Sequence, residues 1–323
     1  RDNEPDDEDE KREMTSRMTS KREITSPTSR AMRALARWAF DPQPIVRLEV
    51  IRMLAPLAIL GFMAARLAHP DDWLSSAGFR VPPLDDDWRQ PLSVPPLSPA
   101  AARAVCAVLL ASGLAVSAGA FTRVTAFVFA VALAYVALAD RPSAFTVSKL
   151  GPVIALALAL SPAGARFSVD AWLRRRRRPD LPLPDLCSGG NVRFFQLLLP
   201  VFYFSSGICK ARGAWLDEPY VLWTHLHSSY QTGVSRFAAE HVPAVGWTIM
   251  QALTLAFECG APLWFALRFT RGGALAYGVA MHAAIGMLFG PVAYFSMLMI
   301  VILLASYAPI HWLSPSFGRR RSR

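Results

Sequence analysis

The apolar residues of this chain gather into blocks long enough to cross a membrane as helices. A helix needs about 20 apolar residues in succession to span the hydrocarbon core of a bilayer. Of the 323 residues, 53% are hydrophobic and 18% are charged, whereas a soluble domain carries about 25% charged residues. This composition excludes a disordered, a collagen-like and a purely soluble protein. The sequence therefore predicts an all-α integral membrane protein surrounded by the lipid bilayer.

The blocks predict a bundle of about eight transmembrane helices. The last two blocks are joined by a Gly290-Pro291 turn, which is typical of a helical hairpin. The predicted spans are 48–68, 101–120, 124–140, 147–163, 193–209, 245–267, 273–289 and 292–309.

Arginine supplies most of the positive charge in the net value of +10, and it stands mainly at the ends of the apolar blocks. Cytoplasmic loops of membrane proteins are rich in Lys and Arg. If the N-terminus is cytoplasmic, the clusters at Arg123, 174–178, 268–271 and 319–323 all fall on the cytoplasmic side. The sequence therefore predicts a cell-membrane protein with both termini in the cytoplasm. This distribution indicates that the arginines set the orientation of the protein in the membrane and do not form a nucleic-acid-binding surface. No nucleic-acid partner is therefore expected.

Three regions follow from this pattern. Residues 1–42 are polar and repetitive, cannot bury enough apolar area to offset their ordering entropy, and are predicted to be a disordered tail. A binding role for that tail is left open. Residues 43–312 form the predicted transmembrane domain, and residues 313–323 are predicted to be a basic cytoplasmic tail.

Ionisable side chains within apolar blocks are candidate functional groups, because they usually face a bundle interior or a cavity. Glu49 and Arg52 are three residues apart and could pair on one helix face, which favours an interfacial ion pair. Glu258 is either a buried acid that holds helices together or a group with a substrate or proton role. For His282, a hydrogen-bonded packing role and a functional role both remain open.

Lys210 lies at the outer end of the fifth predicted span. It is either a lysine that reaches to the membrane interface or an amine in a poorly solvated pocket, where it would be a usable base. His225 and His227 are two residues apart, which does not place both on one helix face. The four cysteines form no CxxC pair, so no metal site is expected.

Four short segments are distinctive: Gly119–Arg123, Phe167–Asp170, Tyr203–Trp215, and His282 with the following Leu288-Phe-Gly. In this order, over residues 45–312, they resemble elements of the HTTM (horizontally transferred transmembrane) domain family. That family includes the vitamin K-dependent gamma-glutamyl carboxylase, whose membrane part this chain resembles. The order of the segments along the chain carries the resemblance.

The resemblance implies a role for Lys210 as the base that deprotonates a hydroquinone. If the chain is an enzyme, it implies a carboxylase-like lyase or oxidoreductase, with a quinone or hydroquinone as the possible cofactor. Family Asn-His pairs are replaced here by Gly164-Ala165 and by Thr146-Val147, and a family Asn by Ile285. The side chains of Gly164 and Ala165 supply neither a hydrogen bond nor a proton, and the predicted outer loops are short. Carboxylation of protein glutamate is therefore not expected.

Three hypotheses follow for function. The first is a lipophilic small-molecule pocket that performs redox or proton-transfer chemistry, with Lys210, Glu258 and His282 as catalytic residues. The second is a non-catalytic membrane partner or maturation subunit for another protein. The third, a transporter or channel, is least favoured because the sequence has no visible internal repeat.

Overall fold

The computed structural model describes residues 27–79, 92, 94–139, 146–217, 221–227 and 231–313. Within these ranges the chain is almost entirely helical, which confirms the predicted all-α fold. The helices are α1 Pro27–Phe40, α2 Val46–Ala68, α3 Pro70–Leu74, α4 Pro99–Ala118, α5 Thr122–Ala139, α6 Thr146–Ala159, α7 Val169–Arg177, α8 Gly189–Ala211, α9 Val221–Leu226, α10 Gly233–His241, α11 Ala244–Ala266, α12 Arg271–Leu288, α13 Ala293–Tyr307 and α14 Ile310–Leu313. Strands β1 Gln43–Pro44 and β2 Leu186–Cys187 pair antiparallel, and a 3₁₀ turn spans Gly290–Val292.

Each of the eight predicted spans coincides with a helix in the described ranges. Six segments there are long and apolar enough to cross a membrane: α2, α4, α5, α8, α11 and Gly290–Tyr307. Helix α6 has only 14 residues, and α12 carries His282 and several glycines and is not among the six. The protein is thus an integral membrane protein by its helices, while the predicted count of eight is not confirmed.

The turn between α4 and α5 shows how local sequence sets helix ends. The Ser98 hydroxyl caps the start of α4 by accepting a hydrogen bond from the backbone of Ala101, and Pro99 fits the first turn. Gly119 ends α4 with φ of 73°, a left-handed conformation in which a side chain is strained. The chain therefore reverses at once into α5.

The helices pack as two groups that meet along α2. Helices α2, α4, α5 and α6 form the first group, in which α4 lies against α2 and α5, and α5 against α6. In the second group α8 packs on α11, and α12 packs on α13. Helix α13 then packs against α2, which joins the two groups into a single bundle.

Glu49 and Arg52 pair as predicted, but both side chains are fully buried rather than interfacial. Arg52 donates to the carbonyls of Val116, Ser117, Ala163 and Phe167. Glu49 accepts from the backbone of Arg166 at 2.8 Å. A buried charge is tolerated when it is paired and hydrogen-bonded, so this pair ties α2 to the end of α4 and to the chain before α7.

The prediction of a disordered tail over residues 1–42 is wrong for residues 27–40, which form α1. The physical reason is amphipathicity. Arg30, Arg33 and Arg37 share one face of α1, and Met32 and Leu35 share the other. Residues 1–26 of the predicted tail, the aspartates at 85–87 and residues 314–323 of the basic C-terminal tail lie outside the described residues.

Candidate functional site

Lys210 and Glu258 form an ion pair between α8 and α11. The Lys210 ammonium donates to Glu258 Oε1 at 2.8 Å, to Glu258 Oε2 at 2.6 Å and to Ser206 Oγ at 2.8 Å. The lysine side chain is 24% exposed and the glutamate side chain 8% exposed. Glu258 therefore has a partner for its charge where little water is available.

A glycine brings these two residues together. Gly207 lies three residues before Lys210, and a Cβ at that position would lie 2.8 Å from the backbone nitrogen and Sγ of Cys259. Since real Cβ contacts are longer, only glycine allows the backbones of α8 and α11 to approach this closely. Small residues serve this purpose between membrane helices in general.

Trp215 covers the ion pair from the segment that follows α8. The Lys210 ammonium lies 5.3 Å from the centre of the Trp215 ring, a distance at which a cation attracts the face of an aromatic ring. The indole nitrogen donates to the carbonyl of Gln251 at 3.0 Å, and the Gln251 amide donates back to the carbonyl of Trp215. The indole is thereby fixed against α11.

A cavity of about 530 Å³ opens beside the ion pair, within the size range of small-molecule sites. Its wall is mainly apolar and aromatic, with polar groups from Lys210, Glu258, Thr254 and His225. The apolar and aromatic part is made by Trp215, Leu222, Met250, Leu253, Tyr277, Met281, Ala284, Ile285, Leu288, Phe289 and Val292. An apolar chamber with one charged pair suits a lipophilic molecule that carries few polar atoms.

His282 does not line this cavity, although its neighbours Met281 and Ala284 do. The imidazole is 2% exposed, and its Nε2 lies 2.8 Å from the hydroxyl of Tyr203 in a hydrogen bond. Its Nδ1 has no hydrogen-bond partner among the described residues. Of the three predicted site residues, Lys210 and Glu258 share the cavity, and His282 packs behind its wall with Tyr203.

Sequence reasoning missed several groups of the site. Ser206 holds the lysine, and its spacing of four residues from Lys210 on one helix was a usable signal. Tyr277 and Thr254 line the cavity, but no sequence signal distinguishes them from other residues of apolar helices. His225 also lines it, while its Nδ1 donates to the carbonyl of Val221 within α9.

The segments Phe167–Asp170 and Gly119–Arg123, both noted for their resemblance to a family, contact each other away from the cavity. Asp170 accepts hydrogen bonds from the backbone of Phe121 and from the backbone and hydroxyl of Thr122, at 2.7–2.8 Å. Ser168 caps α7 by accepting from Ala171. These hydrogen bonds therefore have a structural role, since they hold the α4–α5 turn against the start of α7.

The replacement at Gly164 also has a structural explanation. A Cβ at Gly164 would overlap Thr122 Oγ1, so the space for an Asn side chain is absent here. Ile285, by contrast, lies on the cavity wall and contributes an apolar side chain to it.

The family model of the HTTM domain matches residues 40–312, which is most of the chain. The chain belongs to the HTTM family. No curated protein and no solved structure matches the sequence. The Lys210–Glu258 pair and its cavity thus lie within the HTTM domain, between helices α8 and α11 and beside α12.

Proposed function

We propose that this HTTM protein binds a quinone-like lipophilic molecule in the cavity beside Lys210 and Glu258 and exchanges a proton with it. The observation that carries the proposal is an ion pair set in a mainly apolar and aromatic cavity wall. An apolar wall suits a ring with a hydrocarbon chain, and the ion pair suits the oxygen atoms of that ring.

The pair can match both redox forms of such a ligand. A quinone oxygen can accept a hydrogen bond from the Lys210 ammonium, and a hydroquinone hydroxyl can donate one to the Glu258 carboxylate. The Lys210 ammonium donates to both oxygens of Glu258, so the carboxylate is the group of the pair that can accept a proton from the ligand. That proton comes from the hydroxyl, and the resulting hydroquinone anion lies beside the lysine.

The test is equilibrium binding of a short-chain naphthoquinone to the purified protein in lipid nanodiscs. Lys210→Met should weaken binding of the naphthoquinone about tenfold, because it removes a charge-assisted hydrogen bond to the quinone oxygen. Glu258→Gln should weaken binding of the corresponding naphthohydroquinone about tenfold, because it removes the bond that the carboxylate accepts. The matched control is Lys149→Met, which removes an exposed lysine outside the cavity and should bind as the wild type does. Absence of saturable binding to the wild type would overturn the proposal, as would unchanged binding by Lys210→Met.

A second candidate function is that of a non-catalytic membrane partner or maturation subunit. The apolar Ile285 on the cavity wall favours it, since a family amide is missing there. Crosslinking in native membranes should then capture a stable protein partner, and Lys210→Met should leave that partnership intact. Turnover of a quinone by the isolated protein would contradict this alternative.

A further inference from the structure

A second cavity, of about 340 Å³, lies at the opposite end of α8 from Lys210. Arg193, in the first turns of α8, and Lys210, in its last turn, are 17 residues apart, which corresponds to roughly 25 Å along a helix. Helices α1, α8, α11, α12 and α13 all contribute residues to the wall of this cavity. It is therefore separate from the cavity beside the ion pair.

Two guanidinium groups face the second cavity. Arg193 donates to the carbonyl of Trp38 at 3.1 Å and to Gln196 Oε1 at 2.6 Å. Arg271 donates to the carbonyls of Phe265 and Ala266 at 3.0 and 3.2 Å. None of these four acceptors carries a charge. The contacts fix both guanidinium groups in place. Asp41 attracts the Arg193 charge, but the repulsion from Arg271 is the larger effect, so an anion between the two arginines would be stabilised.

Apart from Gln196 and Tyr307, the rest of the cavity wall is apolar, and it reaches the outer surface of the bundle. Pro200 inside α8 and Pro262 inside α11 both line it. Leu197 and Val201 are 53% and 62% exposed and extend the apolar wall along α8. Since α8 is long and apolar enough to cross a membrane, this surface faces hydrocarbon chains in a bilayer.

Helix α1 places the rim of the cavity at a membrane surface. Its Arg30, Arg33 and Arg37 lie on one face, while Met32 and Leu35 on the opposite face are 68% and 63% exposed. A helix of this kind lies in the plane of the lipid headgroups, with its apolar side towards the acyl chains and its arginines near anionic lipids. Trp38, near the end of α1, lines the cavity, and Arg193 lies 5.0 Å from its ring centre.

We propose that this cavity binds one anionic phospholipid, with its phosphate between Arg193 and Arg271 and one acyl chain along Leu197 and Val201. Paired arginines recognise phosphate oxygens through parallel hydrogen bonds, and basic pockets between membrane helices bind acidic headgroups. The apolar half of the cavity distinguishes this ligand from free phosphate, which would leave the apolar surface unfilled. Helix α1 covers the headgroup side.

The experiment is native mass spectrometry of the full chain with phosphatidylglycerol or phosphatidylcholine of the same acyl chains. The wild type should retain phosphatidylglycerol in preference to phosphatidylcholine. The double variant Arg193→Gln with Arg271→Gln should lower retention of phosphatidylglycerol about tenfold, because two charge-assisted contacts are lost. The control, Arg175→Gln with Arg177→Gln in α7, removes the same charge outside the cavity and should retain the lipid. Equal loss in the control, or no loss in the double variant, would overturn the proposal.

A second variant tests the acyl-chain half and keeps both arginines. Val201→Trp should fill the apolar wall and lower retention of phosphatidylglycerol, and thermal unfolding identifies any variant that does not fold. If the arginine double variant does not fold, Arg271→Gln alone and Val201→Trp decide the question in the same way. Retention of the lipid by Val201→Trp would overturn the proposal. Displacement of phosphatidylglycerol from the wild type by inorganic phosphate would do so as well, because it would identify a free-anion site.

Discussion

At the scale of single residues, the Lys210–Glu258 pair stabilises the fold as well as the site. Removing one partner of a buried pair leaves the other charge without compensation and costs about 3 kcal/mol or more. Lys210→Met should therefore lower the temperature of thermal unfolding in detergent, with Glu258 left at 8% exposure. The double variant Lys210→Met with Glu258→Leu should recover most of that loss. If the double variant is less stable than the single one, then the pair has no such role.

Gly207 is the second residue whose effect can be measured directly. Gly207→Ala adds a Cβ that lies 2.8 Å from the backbone of Cys259, so α8 and α11 must separate. We expect a loss of about 1–3 kcal/mol in the free energy of unfolding, the usual effect of overpacking, together with weaker quinone binding.

The control for this prediction is Gly273→Ala in α12, where a new Cβ has nothing within 4 Å. Because alanine favours a helix over glycine, that variant should be as stable as the wild type or slightly more stable. Equal effects of the two substitutions would show that the close approach at Gly207 is unimportant.

At the scale of secondary-structure elements, Asp170 joins α7 to the turn between α4 and α5. Its carboxylate accepts three hydrogen bonds from Phe121 and Thr122, and bonds to a charged group contribute about 1.5–3 kcal/mol each. Asp170→Ala should therefore destabilise the protein by at least about 2 kcal/mol in thermal or denaturant unfolding. Exposed Asp180→Ala is the matched control and should unfold as the wild type does. An Asp170→Ala protein as stable as the wild type would contradict this structural role of Asp170.

The burial of Cys187, in the short two-stranded sheet of β1 and β2, can be measured through the reactivity of its thiol. The thiol is 8% exposed, and its burial raises its pKa from 9.0 to about 11. A raised pKa keeps the thiol protonated at neutral pH, and only the thiolate reacts with maleimides. In a variant with the other three cysteines replaced by alanine, labelling should accelerate about tenfold per pH unit from pH 8 to 10. A rate that levels off below pH 9 in the folded protein would contradict the buried position.

Sequence patterns predicted the main helices well because a helix that crosses a membrane needs a long run of apolar residues, and such runs are visible in the sequence. They failed for α1, whose helix depends on an amphipathic pattern in a segment that is polar on average. They also could not locate His282, because the hydrogen bond to Tyr203 depends on how α8 and α12 face each other. For Lys210 and Glu258, the sequence indicated that each needs a partner, but only the packing at Gly207 reveals that they partner one another.

At the scale of the whole molecule, the bundle has two chemically different ends. Arg193 and Arg271 line a cavity at one end, and Lys210 with Glu258 lines a cavity at the other. The end with Arg193 also holds α1, and the predicted orientation assigns arginine-rich segments to the cytoplasm. The proposed lipid site would then lie in the cytoplasmic leaflet, and the proposed quinone site would lie near the outer leaflet.

This orientation can be measured with single cysteines in a background in which the four native cysteines are alanine. Gly213→Cys follows Lys210 in an exposed segment, and Arg178→Cys stands at the exposed end of α7. A membrane-impermeant maleimide should label Gly213→Cys in intact cells, and Arg178→Cys only after the membrane is permeabilised, because arginine-rich segments stay in the cytoplasm. Labelling of both proteins after permeabilisation serves as the control for access. The reverse pattern in intact cells would mean that the protein has the opposite orientation, with the Lys210–Glu258 cavity in the cytoplasmic leaflet. Labelling of both sites in intact cells would show that this part of the chain does not separate two compartments.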